Sequence, residues 1–283
     1  MLTDSFVTRN ILADMHWILS TPSLMTLPQE MDGVRFLREI FARNGFAPEA
    51  ENLPVIIQRR LGYYYEDIFS LFLEKSPYIS DIKRNIQVKD ANRTIGEFDF
   101  IVQTQQGSSI HIECAVKFYL CTGNGSDLSH FEGPNRKDRL DLKWDKLLHK
   151  QIRLSETDAG RTKIGTLNIP PPQTAVLIQG YLFYPLGKPA ATLPTAINPD
   201  HLRGWWVRNE HRAQILDEQL RYQILGKPFW LTPPAIPKAE LLSRDQLDEE
   251  LKEQHRPQLI VRLTNKNGEW KELDRGFVVQ SGW

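Results

Sequence analysis

Four side chains in three separate stretches are of types that can do chemistry together. Glu66 stands in PVIIQRRLGYYYEDIFSLFLEKS, Asp99 in GEFDF, and Glu113 and Lys117 in IHIECAVKFYL. Carboxylate oxygens suit Mg²⁺ or Mn²⁺, and an ion so held polarises a phosphoryl oxygen and lowers the pKa of an attacking water. A lysine beside them orients that water or steadies charge growing on the phosphate. Three carboxylates and a lysine therefore suit phosphodiester hydrolysis without a covalent intermediate.

The elements must bring these groups together. Alternate side chains of an extended strand point to opposite faces. Ile110, Ile112, Cys114, Val116 and Phe118 should form one apolar face, and His111, Glu113, Ala115, Lys117 and Tyr119 the other. By the same rule Gly96, Phe98, Phe100 and Val102 share a face, and Glu97, Asp99, Ile101 and Gln103 the opposite one. Such alternation is also what a half-exposed antiparallel sheet shows, so a solvated polar face is the competing reading. Against it stands Glu66, whose neighbours at helical spacing are Gly62, Phe69 and Leu73. A glutamate in a buried helix needs a partner, either a metal or a base such as arginine.

The pattern predicts helices from Asp4 to about Ser20, from Val34 to Arg43 closed by Asn44-Gly45, and from Pro54 to about Lys75. Three strands should follow, joined at Asp90-Ala91-Asn92 and Gln106-Gly107-Ser108. Next come the loop GNGSDLSHFEGPN, the helix KDRLDLKWDKLLHKQIRLS and the buried strand or strand pair QTAVLIQGYLFYP. This order points to an α/β sheet with a meander entrance. Beyond about Pro185 we expect a short helix near His211 to Leu225, a charged stretch from Lys238 to Arg256, and a hairpin in which LIVRLT and EWKEL flank Asn267-Gly268.

Composition excludes several classes. Hydrophobic residues make up 41% of the 283 and charged residues 25%, as in a globular domain with a sizeable core. Lys and Arg together number 35, as do Asp and Glu, so no global field draws the chain to nucleic acid or an anionic membrane. The first segment is interrupted by Asp4, Arg9, Asp14 and His16, which argues against a signal peptide or membrane span. Cys114 and Cys121 lie too far apart along a strand to pair, consistent with reduced thiols and a cytoplasmic setting. Neither a Gly-rich phosphate loop, a zinc-spaced Cys/His set nor a nucleophile elbow is present.

The helix Glu, the strand Asp, and the strand Glu with a Lys close behind resemble the PD-(D/E)XK nuclease superfamily. The longer strings LGYYYE, GEFDF, ECAVKFYL and GPNRKDRLDLK, at 61–66, 96–100, 113–120 and 133–143, resemble a bacterial family within it, catalogued as domain of unknown function 1853. The resemblance runs over essentially the whole chain, including Gly204-Trp205-Trp206 and Trp230-Leu231. It implies an α/β fold with a restriction-endonuclease-like core: a central mixed sheet flanked by helices, with C-terminal additions including the hairpin. Nothing in the chain marks a cut between two cores, so one domain is expected over 1–283, its core at about 54–185, with N-terminal helices 1–53 and a C-terminal extension 186–283 packed on it. The site residues carried over are Glu66, Asp99, Glu113, Lys117 and Gln151. Asp99 and Glu113 would bind Mg²⁺ or Mn²⁺, with Glu66 joining directly or through water. The substrate would be DNA more readily than RNA, with no membrane partner, and a homodimer by analogy.

One departure matters. The superfamily's lysine follows the glutamate by two positions, where Ala115 stands, whereas Lys117 follows by four. The offset is about 6.6 Å of strand, about as far as a lysine can lean. A nuclease-like fold that has lost its chemistry and binds nucleic acid or protein is therefore the second reading.

The following helix offers support. Leu140, Trp144, Leu147, Gln151 and Leu154 share a seam, which places Gln151 in an apolar line either near the site or capping a neighbouring backbone. Arg136, Lys137, Arg139 and Lys143 head a basic run that is either a solvated face with internal ion pairs or a set of phosphate contacts. Trp205, Trp206 and Trp230 read as core in preference to base-stacking platforms. His111 is open to a structural role or a place at the site, and Cys114 reads as core.

Overall fold

The computed structural model describes residues 4–44, 53–54, 56, 60–91, 93–188, 192–232 and 240–283, the side chains of the first stretch being those of 11–40. Helices α1 (Asp4–Ser20), α2 (Gly33–Asn44) and α3 (Leu61–Lys75) come first. The meander β1 (Ile79–Asp90), β2 (Arg93–Thr104) and β3 (Ser109–Cys121) follows as expected. The third helix starts later than its pattern suggested: Pro54 and Ile56 are not helical, and the residues between 56 and 60 lie outside the described ones, as does Gly45 of the proposed stop after α2.

After the two-residue strand β4 (Phe131–Glu132), α4 (Leu140–Lys146) runs into a π-helical turn, Leu147–Gln151, and then α5 (Asp158–Thr166). The expected continuous helix through Ser155 is thus broken twice. QTAVLIQGYLFYP is one strand, β5 (Gln173–Pro185), followed by β6 (Leu202–Arg208). The short helix expected near His211 to Leu225 is instead a 3₁₀ segment, Asn209–Ile215, and strand β7 (Arg221–Leu225), because Leu225 and Tyr222 pair with the hairpin. Within the charged stretch α6 (Arg244–Lys252) opens on a capping box between Ser243 and Gln246; Lys238 lies outside the described residues. The hairpin β8 (Gln258–Lys266) and β9 (Glu269–Val279) turns at Asn267-Gly268, both at positive φ, as the Asn-Gly signal requires.

The strands form one nine-stranded mixed sheet in the order β1-β2-β3-β5-β6-β9-β8-β7, with β4 on the edge of β3. Its centre, β3-β5-β6-β9, is parallel and covered on both faces, as parallel sheets require. Helices α1, α2 and α3 pack on one face, where Phe69, Phe100, Val102, Ile112, Val116 and Phe118 belong to one core. On the other face Leu140 and Leu147 pack with Tyr119, Ile178 and Leu182, and Leu154 and Ile164 with Phe98 and Ile101. Trp205, Trp206 and Trp230 are all buried, the core role anticipated for them.

Two features of the meander position the site. First, β1 and β2 turn over together. Asn85 has φ 55°, and opposite it lies Asp99, a pair missing between Arg84↔Phe100 and Ile86↔Phe98. Asn tolerates this left-handed region better than most residues. On either side the faces exchange: Arg84 and Phe100 look toward α3, whereas Ile86 and Phe98 pack with Leu154 on the other face. The simple alternation is thereby corrected, since Phe98 shares a face with Ile101 and not with Phe100. Second, the β2-β3 ladder ends at Phe100 opposite Ile112, and β4 joins only at Leu120. Among the described residues, no strand pairs with Glu113 to Tyr119 on that side. Asp99 stands at the mouth of this opening.

Candidate functional site

The polar side of β3 is not a solvated face. His111 and Glu113 are 0% and 1% exposed, because the π-helical turn and the Leu154 segment cover it. Asp99 enters from β2 where the ladder has just ended. Its Oδ2 accepts from the Cys114 N–H at 3.0 Å, a side chain taking the place of a strand partner. The Asp99 and Glu113 carboxyls lie close enough for each to shift the other's pKa. Burial and the charge of Glu113 push Asp99 up to about 7, and burial pushes Glu113 to about 7 as well, against the pull of Lys143. At neutral pH the pair holds a shared proton or an uncompensated charge.

Glu113 is clamped from both sides. His111 Nε2 lies 2.8 Å from Oε1, and Gln151 Nε2 donates to Oε2 at 2.5 Å. Burial holds His111 down at about 4, so the ring is neutral, and its Nε2 donates to the charged Glu113 or accepts from the protonated one. The π-helical turn aims Gln151 inward, and its Oε1 accepts from Lys143 Nζ at 2.9 Å. Burial, then the nearby charge of Lys117, hold the Lys143 ammonium below its usual range, while Asp99 and Glu113 pull it back up. Lys143, which the sequence grouped with the basic run, is thus a cation whose charge acts on both acids.

Glu66 comes from α3 on the opposite side of the opening. Burial and the charge of Asp99 push it up to about 7, and Arg84 opposes this. The arginine expected as a structural partner is present but spends its ion pair on Asp67 at 2.7 Å. Among the described residues Glu66 makes no hydrogen bond or ion pair. Lys117 does not lean back along the strand toward Glu113. Its Nζ meets Asp138 Oδ2 at 2.5 Å, where the Tyr119 hydroxyl also donates, at 3.1 Å. Its backbone is pinned by β5: a Cβ at Gly180, φ 142°, would fall 1.7 Å from the Lys117 carbonyl oxygen.

The other basic candidates divide. Arg139 forks onto Asp141 through two 2.7 Å bonds, and Arg136 pairs with Glu132 at 2.9 Å and stacks over Trp283. These two fit the ion-paired face. Lys137 is exposed beside Asp138. Asp138 is what sequence reading missed; Lys143 was expected among the phosphate contacts and not behind Gln151, and His111 was left open between a structural role and a place at the site. A signal for Lys143 existed: positions 143, 147 and 151 lie on one i, i+4 ridge.

Among the described residues no three His, Cys, Asp or Glu side chains are grouped so as to hold a metal ion. Asp99 and Glu113 remain the donor pair to weigh. Two adjacent carboxylates with too little counter-charge fit a hard divalent cation that keeps several waters, as Mg²⁺ does with one or two protein carboxylates.

Fold and site define a mixed α/β protein with a large central mixed sheet flanked by helices, and a buried glutamate beside a half-buried aspartate where its ladder opens. Among the described residues no helix is long and apolar enough to cross a membrane. The chain belongs to the family described as domain of unknown function DUF1853, whose model matches residues 13–279. No curated protein and no solved structure matches the chain.

Proposed function

We propose that the protein is a metal-dependent phosphodiesterase acting on nucleic acid, DNA in preference to RNA, built on a restriction-endonuclease-like core. The observation that carries this reading is the pairing of Asp99 and Glu113 across the end of the β2-β3 ladder, both pushed to about 7 and backed by Gln151 and Lys143. Asp99 and Glu113 would hold Mg²⁺ or Mn²⁺, with Glu66 joining through water. When bound, the ion would acidify a coordinated water and polarise the phosphoryl oxygen. His111 and Gln151 fix the orientation of Glu113. Lys143 replaces the displaced strand lysine as the positive group facing the charge that grows on the phosphate. A homodimer accompanies this reading by analogy with the superfamily, and the unpaired cysteines suit a cytosolic setting.

The second reading is a nuclease-like module that binds without cleaving. Ala115 at the customary lysine position and the engagement of Lys117 by Asp138 favour it. The deciding experiment incubates wild type and Asp99→Asn with single- and double-stranded DNA in Mg²⁺ or Mn²⁺. Cleavage by wild type and none by the variant supports hydrolysis. Equal cleavage by both, or none by either, rejects it.

A further inference from the structure

Beside the acids, and not part of them, lies a cavity of about 190 Å³ whose described lining includes Lys117, Lys137, Lys227, Asp138, Phe118 and Trp230. It sits between the start of α3, the open edge of β3 and the loop that follows β4. Three lysines face one aspartate. Lys117 is paired with Asp138, while Lys137 and Lys227 have no carboxylate partner among the described residues. Lys227 Nζ lies 4.5 Å over the Trp230 ring, and Trp230 meets Phe118 edge-on at 5.2 Å between centroids. Partial burial and the charge of Lys117 hold the Lys227 ammonium below its ordinary range. The cavity therefore combines a surplus of positive charge with an aromatic wall.

Its frame is built before any ligand arrives. The Gly133 N–H donates to the Asp138 carbonyl and the Arg136 N–H to the Gly133 carbonyl, each at 2.7 Å, closing the loop on itself. The Trp283 indole N–H donates to the Pro134 carbonyl at 2.8 Å and braces it from outside. The backbone under Lys137 is thus fixed by this loop and that under Lys117 by β3, so neither has to be ordered when an anion arrives. Lys117 lies four residues from Glu113, about 13 Å along the strand. A group in the cavity would be separate from one at Asp99 and Glu113, yet reached along the same open edge.

We propose that this cavity is a phosphate subsite for a nucleotide of the substrate strand, with Lys117, Lys137 and Lys227 on the phosphate and the Phe118–Trp230 wall against its sugar or base. The proposal deepens the nuclease reading and rests on it for the strand, but not for the phosphate. It gives Lys117 a binding role distinct from catalysis.

The test is isothermal titration of adenosine 5′-monophosphate and of adenosine into the full-length protein, in chelator and without divalent metal. Wild type and Asp99→Asn should bind the monophosphate alike. Adenosine should bind at least about ten-fold more weakly, since the charge-assisted contacts are missing. Lys227→Ala, at an exposed position, should weaken monophosphate binding about ten-fold, and Lys227→Arg should restore most of it. No binding by wild type, equal binding of adenosine, unchanged affinity in Lys227→Ala or loss in Asp99→Asn would each overturn the subsite. Monophosphate binding with no DNA cleavage would remove the nuclease reading and leave the subsite standing. Cleavage with no effect of Lys227→Ala on binding would do the reverse.

Discussion

Two aspartates pushed up by burial are treated in opposite ways in this molecule. Asp14, fully buried on α1, accepts from the Tyr64 hydroxyl at 2.7 Å, from the Thr232 N–H at 3.0 Å and from the Thr232 hydroxyl, with Arg275 contributing favourable charge. It ties α1 to α3 and to the segment after Trp230. Asp99 receives one backbone N–H and faces a second carboxyl. Burial raises both, Asp14 to about 6 and Asp99 to about 7. Donors gathered round an acid stabilise a fold, whereas an acid set against another acid is poised to receive something positive.

The contrast can be broken most severely at Asp99. Asp99→Asn should lower Mg²⁺-dependent DNA cleavage at least about 1,000-fold, the order expected when several kcal/mol of charge stabilisation is lost, and it should raise the melting temperature above neutral pH. A variant that cleaves normally, or melts lower at alkaline pH, would erase the difference between the two acids. Asp14→Ala should do the opposite: unfolding in urea should be easier by about 2–4 kcal/mol, as three donors lose their acceptor, while the folded protein keeps its cleavage rate. Undiminished stability would show that the donors around Asp14 contribute nothing.

Lys143→Ala should reduce kcat about 10- to 100-fold with Mn²⁺ affinity by calorimetry unchanged or higher. Weaker ion binding would instead place Lys143 in the frame of the donor pair. The pH dependence separates the acids in a fourth way. Each has a folded pKa above its unfolded value of 3.8 or 4.5, so each adds stability at low pH that is lost as pH rises through the folded value. Stability should fall from about pH 4 upward, where the unfolded chain ionises first, and level off near pH 6 to 7 once Asp14, Asp99, Glu113 and Glu66 have ionised in the folded protein. Mn²⁺ should restore the part lost at Asp99 and Glu113 and leave the part lost at Asp14. A pH profile indifferent to Mn²⁺ would contradict this. The smallest effect belongs to Glu66→Gln, which should raise stability at about pH 8 by no more than about 1 kcal/mol; a fall on that scale would mean that the carboxylate has a partner after all.

Much of this was legible from local chemistry. The meander, the Asn-Gly hairpin and the α1 pattern each rest on short-range rules that tertiary packing did not override. Asp99 and Glu113 were identified by type and position. What the strand period could not give was the inversion at Asn85 and Asp99, because alternation assumes extended dihedrals at every residue. Arg-Asn-Ile reads as an ordinary stretch of strand. The π-helical turn was hidden for the same reason, since Leu140, Leu147 and Leu154 keep an apolar seam with or without it. The segment 221–225 reads as part of a helix until its pairing with β8 is known. Lys117 faced the expected side, and only the location of Asp138 decided where its ammonium went.

The π-helical turn at Leu147–Gln151 makes this region sensitive to chain length in a way that no substitution reproduces. A π turn holds one residue more than the α-helical turn it interrupts. Deleting one residue within it would return the segment to an ordinary helix and swing everything downstream by about 100° about the axis. Gln151 would leave Glu113 and release Lys143, while α4 upstream kept its seat on Tyr119 and Ile178. Among natural variants of this chain, length in these five positions is thus a cleaner indicator of a working site than the identity of any surface lysine.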